Sequence, residues 1–288
     1  MSRGVRRMRR WARLARQGSP PYFHVLLILW CAVSVFPLLW MVGTSLKPTS
    51  EGIGGIGSMI PFSPTAENYT RVAALLPLAR NTLNSFIVAS AGTAATVLLC
   101  SLAGFAFAKY DFPGRDFLFL FLLATMLLPP EVGIVPTFLI MKKLRWINTY
   151  WALIVPRAAT AIGIFYMRQY IAGFPGEILE QGRLDGCREL RIYWQLVLPS
   201  VSPALAAWAT ISFIARWNDF MWPLLLMRSR EMYTLMVSIS VLPVSEGLST
   251  PWPVIMAGTT IAVAPLILVY FVLQRFQVSG LTLGAVKG

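Results

Sequence analysis

The sequence predicts an all-α, polytopic membrane protein with six transmembrane helices. Of its 288 residues 56% are hydrophobic and only 13% charged, with a mean hydropathy of +0.64. So few charges cannot cover that much apolar surface in water. The apolar residues also fall in long continuous runs, which helices satisfy and the alternating strands of a barrel do not. Finally, seven arginines, from Arg3 to Arg16, stand immediately before the first run. A basic leader beside a span reads as a cytoplasmic anchor. Nucleic-acid binding is the lesser reading of the +13 net charge, because no basic-aromatic fold follows the leader.

The chain divides into a leader (1–21), a membrane domain (22–275) and a short tail (276–288). The first run, Tyr22 to Leu46, continues through Trp30, Phe36 and Trp40, longer than the apolar part of a cleaved signal. Residues Lys47 to Arg80 are polar and rich in Gly, Pro and Ser, and read as an exposed loop. The second run, about Leu83 to Phe107, contains the small-residue stretch Ala89 to Ala95, which lets helix backbones approach closely. Lys109 to Asp116 form a tight turn. The third run, Phe117 to Met141, carries Pro129-Pro130-Glu131, which predicts an end or kink there. The fourth is about Tyr150 to Tyr170, with Arg157 inside it; the fifth is about Ala204 to Met227 and the sixth about Val254 to Leu273.

Six spans with both termini in the cytoplasm place fifteen Lys and Arg inside and eight outside, in the sense of the positive-inside rule. The cluster Lys142-Lys143-Arg145 runs against it, and a re-entrant third segment would invert everything downstream. Cys31, Cys100 and Cys187 are scattered and the single His24 has no second His or nearby Cys, so neither a disulfide framework nor a metal site is predicted.

Residues 174–203 form a hydrophilic insert much longer than an ordinary interhelical loop. Pro175 suits a first helical turn, and Glu177 and Glu180 favour a helix N-terminus. Gly186 then breaks the helix, and Leu190, Tyr193, Trp194 and Val197 recur at helical spacing before Pro199 and Pro203. The pattern predicts a helix–Gly–helix element presenting Glu180, Asp185 and Arg188 to a partner. By its residues alone, a solvated charged loop explains it as well.

Four separated stretches carry a family resemblance. Glu180-Gln181-Gly182, three residues, Gly186, nine residues and Leu196-Val197-Leu198-Pro199 resemble the EAA signature of ATP-binding-cassette (ABC) importer permeases, with Gln181 and Gly182 where that family usually has alanines. Trp217 to Leu224 resemble the fifth-span signature of sugar-importer permeases, and Phe105 to Gly114 and Gln274 to Gly288 resemble the shorter permease of maltose-type carbohydrate transporters. The resemblance implies the type I importer permease fold in a bacterial or archaeal cell (inner) membrane. It also implies a heterodimer with a second permease, two ATPase subunits that bind the ATP and Mg, and an extracytoplasmic solute-binding protein. In that assembly Glu177, Glu180, Arg183, Asp185, Gly186, Arg188 and Pro199 would contact the ATPase. The tail residues Gly280, Leu281, Thr282, Gly284 and Lys287 would lie between the ATPase subunits. A Gly at 182 is expected to loosen the first loop helix by up to ~1 kcal/mol relative to Ala.

In the fifth run, Arg216, Asn218 and Asp219 are costly in lipid and are expected to face protein or water. Arg216 and Asp219, three apart, suit a helix-surface pair that orients the span. Asn218, Asp219 and Trp217 are equally candidates for the translocation path. Trp217 and Trp222 suit either a sugar ring or the membrane interface. The chain has no Gly-x-x-x-x-Gly-Lys-Ser/Thr loop with which to cradle ATP and is expected to carry no cofactor and no catalytic residue. The rival is an ion-gradient-driven secondary transporter, which would want intramembrane carboxylates and inverted repeats. Asp219 is its one clear carboxylate, and no repeat is visible.

Overall fold

A computed structural model describes residues 21–51, 60–242 and 250–284; the arginine leader and Lys287 lie outside them. Every regular element among the described residues is helical. The chain forms two compact units. One takes in the described residues up to Tyr69 with Pro251–Thr260; the other takes in Thr70–Thr250 and the described residues from Ile261 onward.

The first apolar run is helix α1, Pro21–Ser45. Its last carbonyls have no partners within the helix. Asn68 supplies them, its Nδ2 donating to Ser45 O at 2.8 Å and Lys47 O at 2.7 Å, while Thr65 N donates to Leu46 O. The segment expected to be an exposed loop is therefore folded in part. It contains helix α2, Glu67–Leu75, and buries Asn68 and Lys47, the latter beside Glu51 at 3.8 Å. Asn68 and Thr65 satisfy the end of α1, while most of the described residues from 60 to 80 stay exposed.

The second run is the 32-residue helix α3, Leu78–Lys109, the centre of the second unit. The third breaks at the prolines into α4, Arg115–Thr125, and a half from Pro130 that includes α5, Ile134–Lys143, bent by 96°. Pro129 and Pro130 lack the donors a continuous helix would need. The fourth is also bent, by 47°, between α6 (Tyr150–Ile154, extended by a 3-10 turn to Arg157) and α7, Ala161–Ala172. Thr160 caps α7, its Oγ1 accepting from Gly163 N.

The insert follows as α8 (Gly176–Leu184), α9 (Glu189–Ile192), a π-helical turn over Tyr193–Val197 and α10, Leu198–Ser200. The fifth run is two helices, α11 (Ser202–Trp217) and α12 (Met221–Leu226), not one continuous span to Met227. After α13 (Leu235–Ser240), helix α14 runs from Trp252 to Gly284, straight through the expected tail boundary at 275. Three helices are long and apolar enough to cross a membrane alone, and by length and composition up to six spans are reached when each bent pair counts as one, the third pair being Glu189–Ser200 with α11, bent by 81°.

α3 makes its most extensive contacts with α7 and α11. A Cβ on Gly104 would lie 2.8 Å from the backbone N of Arg168, and one on Gly163 2.7 Å from Cys100 Sγ and from Trp208. With no hydrophobic drive between helices in lipid, such close backbone approach is what holds a bundle. At the start of α3, buried Asn84 donates to the carbonyls of Glu231 and Tyr233 and accepts from Tyr150 Oη; Ser85 Oγ accepts from Leu235 N.

Candidate functional site

Two groups of residues concern function: the insert after α7, and the breaks in the fourth and fifth spans. In the insert the predicted helix–glycine–helix is present. Pro175 stands one position earlier than expected, as the N-cap of α8, and its extended backbone directs the chain into the helix. Leu179 and Gly182, three apart, are the buried face of α8. Glu177, Glu180, Arg183, Asp185, Gly186, Arg188 and Pro199 are all exposed. Leu184 and Leu190 are exposed among them, so polar and apolar groups share one open face.

Gly186 has φ +76°, and no atom lies within 4 Å of the place a Cβ would take, so the residue is required by its left-handed backbone and not by crowding. Gly182 is different. A Cβ there would lie 3.1 Å from Leu196 Cδ1 and 3.4 Å from Ile192 Cγ1. The residue expected to loosen α8 thus brings it close against the second half of the insert.

Apart from Arg183, which the resemblance put at the ATPase contact, residues given no site role by the sequence fasten this element. Tyr110, the residue after α3, donates its hydroxyl to Glu189 Oε2. Arg183 Nε donates to Glu189 Oε1 at 2.8 Å, and its guanidinium lies 5.8 Å from the Tyr110 ring centroid. Hydrogen bonds from Arg183 and Tyr110 hold the Glu189 carboxyl below the usual carboxylate range. Burial, with the Glu189 hydrogen bond and charge, pushes Tyr110 up to about 12. Tyr193, buried in the π turn, hydrogen-bonds Ser101 of α3 at 2.7 Å. Lys109 donates to the carbonyls of Ala172 and Phe174, where α7 passes into the insert. The signal for Tyr193 was its helical spacing; Glu189, six residues from Arg183, had none.

At the breaks, Asp219 pairs with Arg157 and not with Arg216. The expected helix-surface pair required the helix to continue, but α11 ends at Trp217 with Asn218 as its C-cap. Arg216 is instead buried at 6% exposure. Its Nη2 donates to Thr96 Oγ1 and to the Arg157 carbonyl, both at 2.5 Å, while Nη1 has no partner among the described residues. A Cβ on Gly92 would come within 2.9 Å of the Arg216 guanidinium, so the small-residue stretch of α3 makes room for a cation.

Of the candidate path residues, Asn218 is exposed and Asp219 partly so. Trp217 is 2% exposed, stacks on Phe213 at 5.9 Å and donates its indole N–H to Ala262 O at 3.1 Å. That ring is a packing residue here and unavailable to a sugar. A groove of about 510 Å³ between α3, the π turn and α11 offers little better. Ser90, Thr93, Ser101 and Tyr193 are its polar lining residues, and the last two bond each other. Recognition of a hydroxylated solute needs more polar groups than that.

Residues 97–282 match the family described as the binding-protein-dependent transport system inner membrane component. The chain belongs to this family. The match opens within α3 and takes in the insert and both helix breaks. As such an inner membrane component the chain is an ABC importer permease, a transport subunit. It is similar to the arabinooligosaccharides transport system permease protein AraQ of Halalkalibacterium halodurans, 34% identical over 260 residues, covering 89% of this chain and 92% of the relative. The lactose transport system permease protein LacG of Rhizobium radiobacter is 33% identical, covering 88% and 92%. The sn-glycerol-3-phosphate transport system permease protein UgpE of Brucella abortus is 32% identical, covering 90% and 94%. The fold is shared with a chain in the crystal structure of a bacterial ABC transporter involved in the import of the acidic polysaccharide alginate, at TM-score 0.77 and 23% identity, over 88% of this permease and 94% of that chain.

Proposed function

We propose that this permease forms half of the membrane pathway of a carbohydrate importer and receives its energy through residues 174–203. The relatives named for arabinooligosaccharide, lactose and sn-glycerol-3-phosphate transport support a mono- or oligosaccharide as solute. The other half of the pathway is a second permease, two ATPase subunits bind the ATP and Mg, and an extracytoplasmic protein delivers the solute. Both termini are cytoplasmic, and the C-terminal residues Gly280 to Lys287 lie against the ATPase subunits.

One observation carries the coupling assignment: an exposed helix–glycine–helix, anchored to α3 on one side, presents charged and apolar side chains together on the other. Mixed surfaces of this kind suit a protein partner better than water alone. Closure of such a partner would turn into rigid-body rotation of the attached helices. Asp219, engaged by Arg157, is a poor ion carrier, which weighs against a gradient-driven mechanism.

The test is co-purification of a tagged chain with its candidate ATPase. Wild type is expected to retain the ATPase, and Glu180→Ala and Gly186→Arg to lose it. Retention by both variants sinks the coupling assignment.

A further inference from the structure

Three polar fastenings of the insert lie on the last turns of α3 or just beyond it, beside a buried cluster that Leu179, Ile192, Tyr193 and Val197 share with Cys100 and Phe105 of α3 and with Ile164, Met167 and Ile171 of α7. Lys109 holds the carbonyls at the entrance, Ser101 holds Tyr193 in the π turn, and Tyr110 holds Glu189 at the centre. Resting on the reading of 174–203 as the ATPase contact, we propose that Glu189 is a positioning residue that makes the two helices of the insert and the end of α3 move as one body, so that α3 is the helix that receives the ATPase stroke.

The geometry follows from Gly186. Gly186, at φ +76° with open space where a Cβ would stand, makes the turn about which α8 and α9 are set against each other. Arg183 lies before that turn and Glu189 after it, and their ion pair spans it. Tyr110 then ties the spanned turn to the membrane span, since it bonds the same carboxylate from the residue following α3. Glu189 is the one group common to both ties. An exposed ion pair adds little to stability, and Arg183 and Glu189 are 40% and 45% exposed. The value of the clasp is therefore geometric: it fixes α8 and α9 in register with the end of α3, which Leu179 of α8 reaches only through the shared buried cluster. The buried Ser101–Tyr193 bond, the Lys109 bonds and the buried cluster keep the insert folded when the clasp is opened, so loss of Glu189 weakens transmission and leaves the docking surface.

The experiment uses the whole importer, reconstituted in liposomes with its ATPase and binding protein. It compares wild type with Glu189→Ala, Glu189→Gln and Tyr110→Phe. ATPase retention, hydrolysis rate and solute taken up per ATP are measured together. Glu189→Ala and Tyr110→Phe are expected to retain ATPase and hydrolyse ATP, with uptake per ATP reduced about five-fold or more, the lower end of typical coupling between sites. Glu189→Gln, which keeps an acceptor for Tyr110 and loses the charge facing Arg183, is expected between them and wild type. Unchanged uptake per ATP in both Glu189→Ala and Tyr110→Phe overturns the proposal. Loss of ATPase retention in Glu189→Ala also overturns it, since Glu189 would then belong to the docking surface. Failure of wild type itself to retain ATPase overturns instead the assignment of the insert. Tyr110→Phe removes one oxygen atom and keeps the question decidable if Glu189→Ala does not assemble.

Discussion

Arg216 lies at a depth where an unmatched cation is costly, and its surroundings are arranged around it. Thr96 and the Arg157 carbonyl take one nitrogen, and Gly92 leaves space for the guanidinium. Adding a methyl at 92 drives a Cβ to 2.9 Å from three atoms of that side chain. The Arg216 head is then displaced from its acceptors. Gly92→Ala is therefore expected to lower stability by about 1–3 kcal/mol, the range for overpacking, as a reduced thermal midpoint in detergent. Asp219→Asn leaves Arg157 without its counter-charge. A fully buried pair broken this way loses about 3–5 kcal/mol. Arg157 is 33% exposed, so a smaller loss of about 1–2 kcal/mol is expected after solvent screening. If Asp219→Asn melts with wild type, the pair is not holding the two helix breaks together. The sequence had shown Arg216 and Asp219 as costly in lipid, expected to face protein or water, and Arg157 as a charge inside the fourth run. It could not show which pair forms, because the partner choice turns on α11 stopping at Trp217, and no Pro or Gly stands between Ala204 and Trp222 to mark that stop.

Among the elements, the insert was the most legible, since prolines, acidic first turns and Gly186 act locally. Its fastening was not, because Tyr110 and Glu189 meet only through the fold, 79 residues apart. The two glycines of the insert separate these levels. Gly186→Ala forces a side chain into the left-handed region, expected to lose about 1–2 kcal/mol. Gly182→Ala gains up to about 1 kcal/mol of helix propensity, offset by a 3.1 Å approach to the flexible end of Leu196. Thermal melting of the two variants is expected to place Gly186→Ala below wild type and Gly182→Ala at or slightly above it. The clasp also has a pH range. Glu189 is held below the normal carboxylate range, so its contribution is present above about pH 4 and fades as pH falls through the lowered value. Tyr110 is raised to about 12, so its contribution is complete below about pH 10 and lost as pH rises towards 12. An alkaline absorbance titration of wild type minus Tyr110→Phe is expected to show a tyrosinate midpoint near 12. A midpoint near the ordinary tyrosine value of about 10 would mean that Tyr110 is not engaged.

For the whole molecule, the decisive question is parity. Three helices are long and apolar enough to cross alone and three bent pairs add to them, and the 96° bend between α4 and the half that begins at Pro130 is the largest. If that pair crosses the membrane, four spans precede the insert, which then lies on the same side as the basic leader. If the pair returns to the side it entered from, three spans precede it and the insert faces outward, away from ATP. The balance of fifteen basic residues against eight favours the first arrangement. The three native cysteines report on this without further substitution. Cys31 lies in the apolar stretch of α1 and Cys100 is buried in α3, where a polar reagent does not reach, while Cys187 follows Gly186 in the insert and is partly exposed. A membrane-impermeant maleimide is therefore expected to label Cys187 in inside-out vesicles and not in intact cells. Labelling in intact cells would make the third segment re-entrant and place the insert beyond the reach of a cytoplasmic ATPase, and the coupling assignment would fall with it.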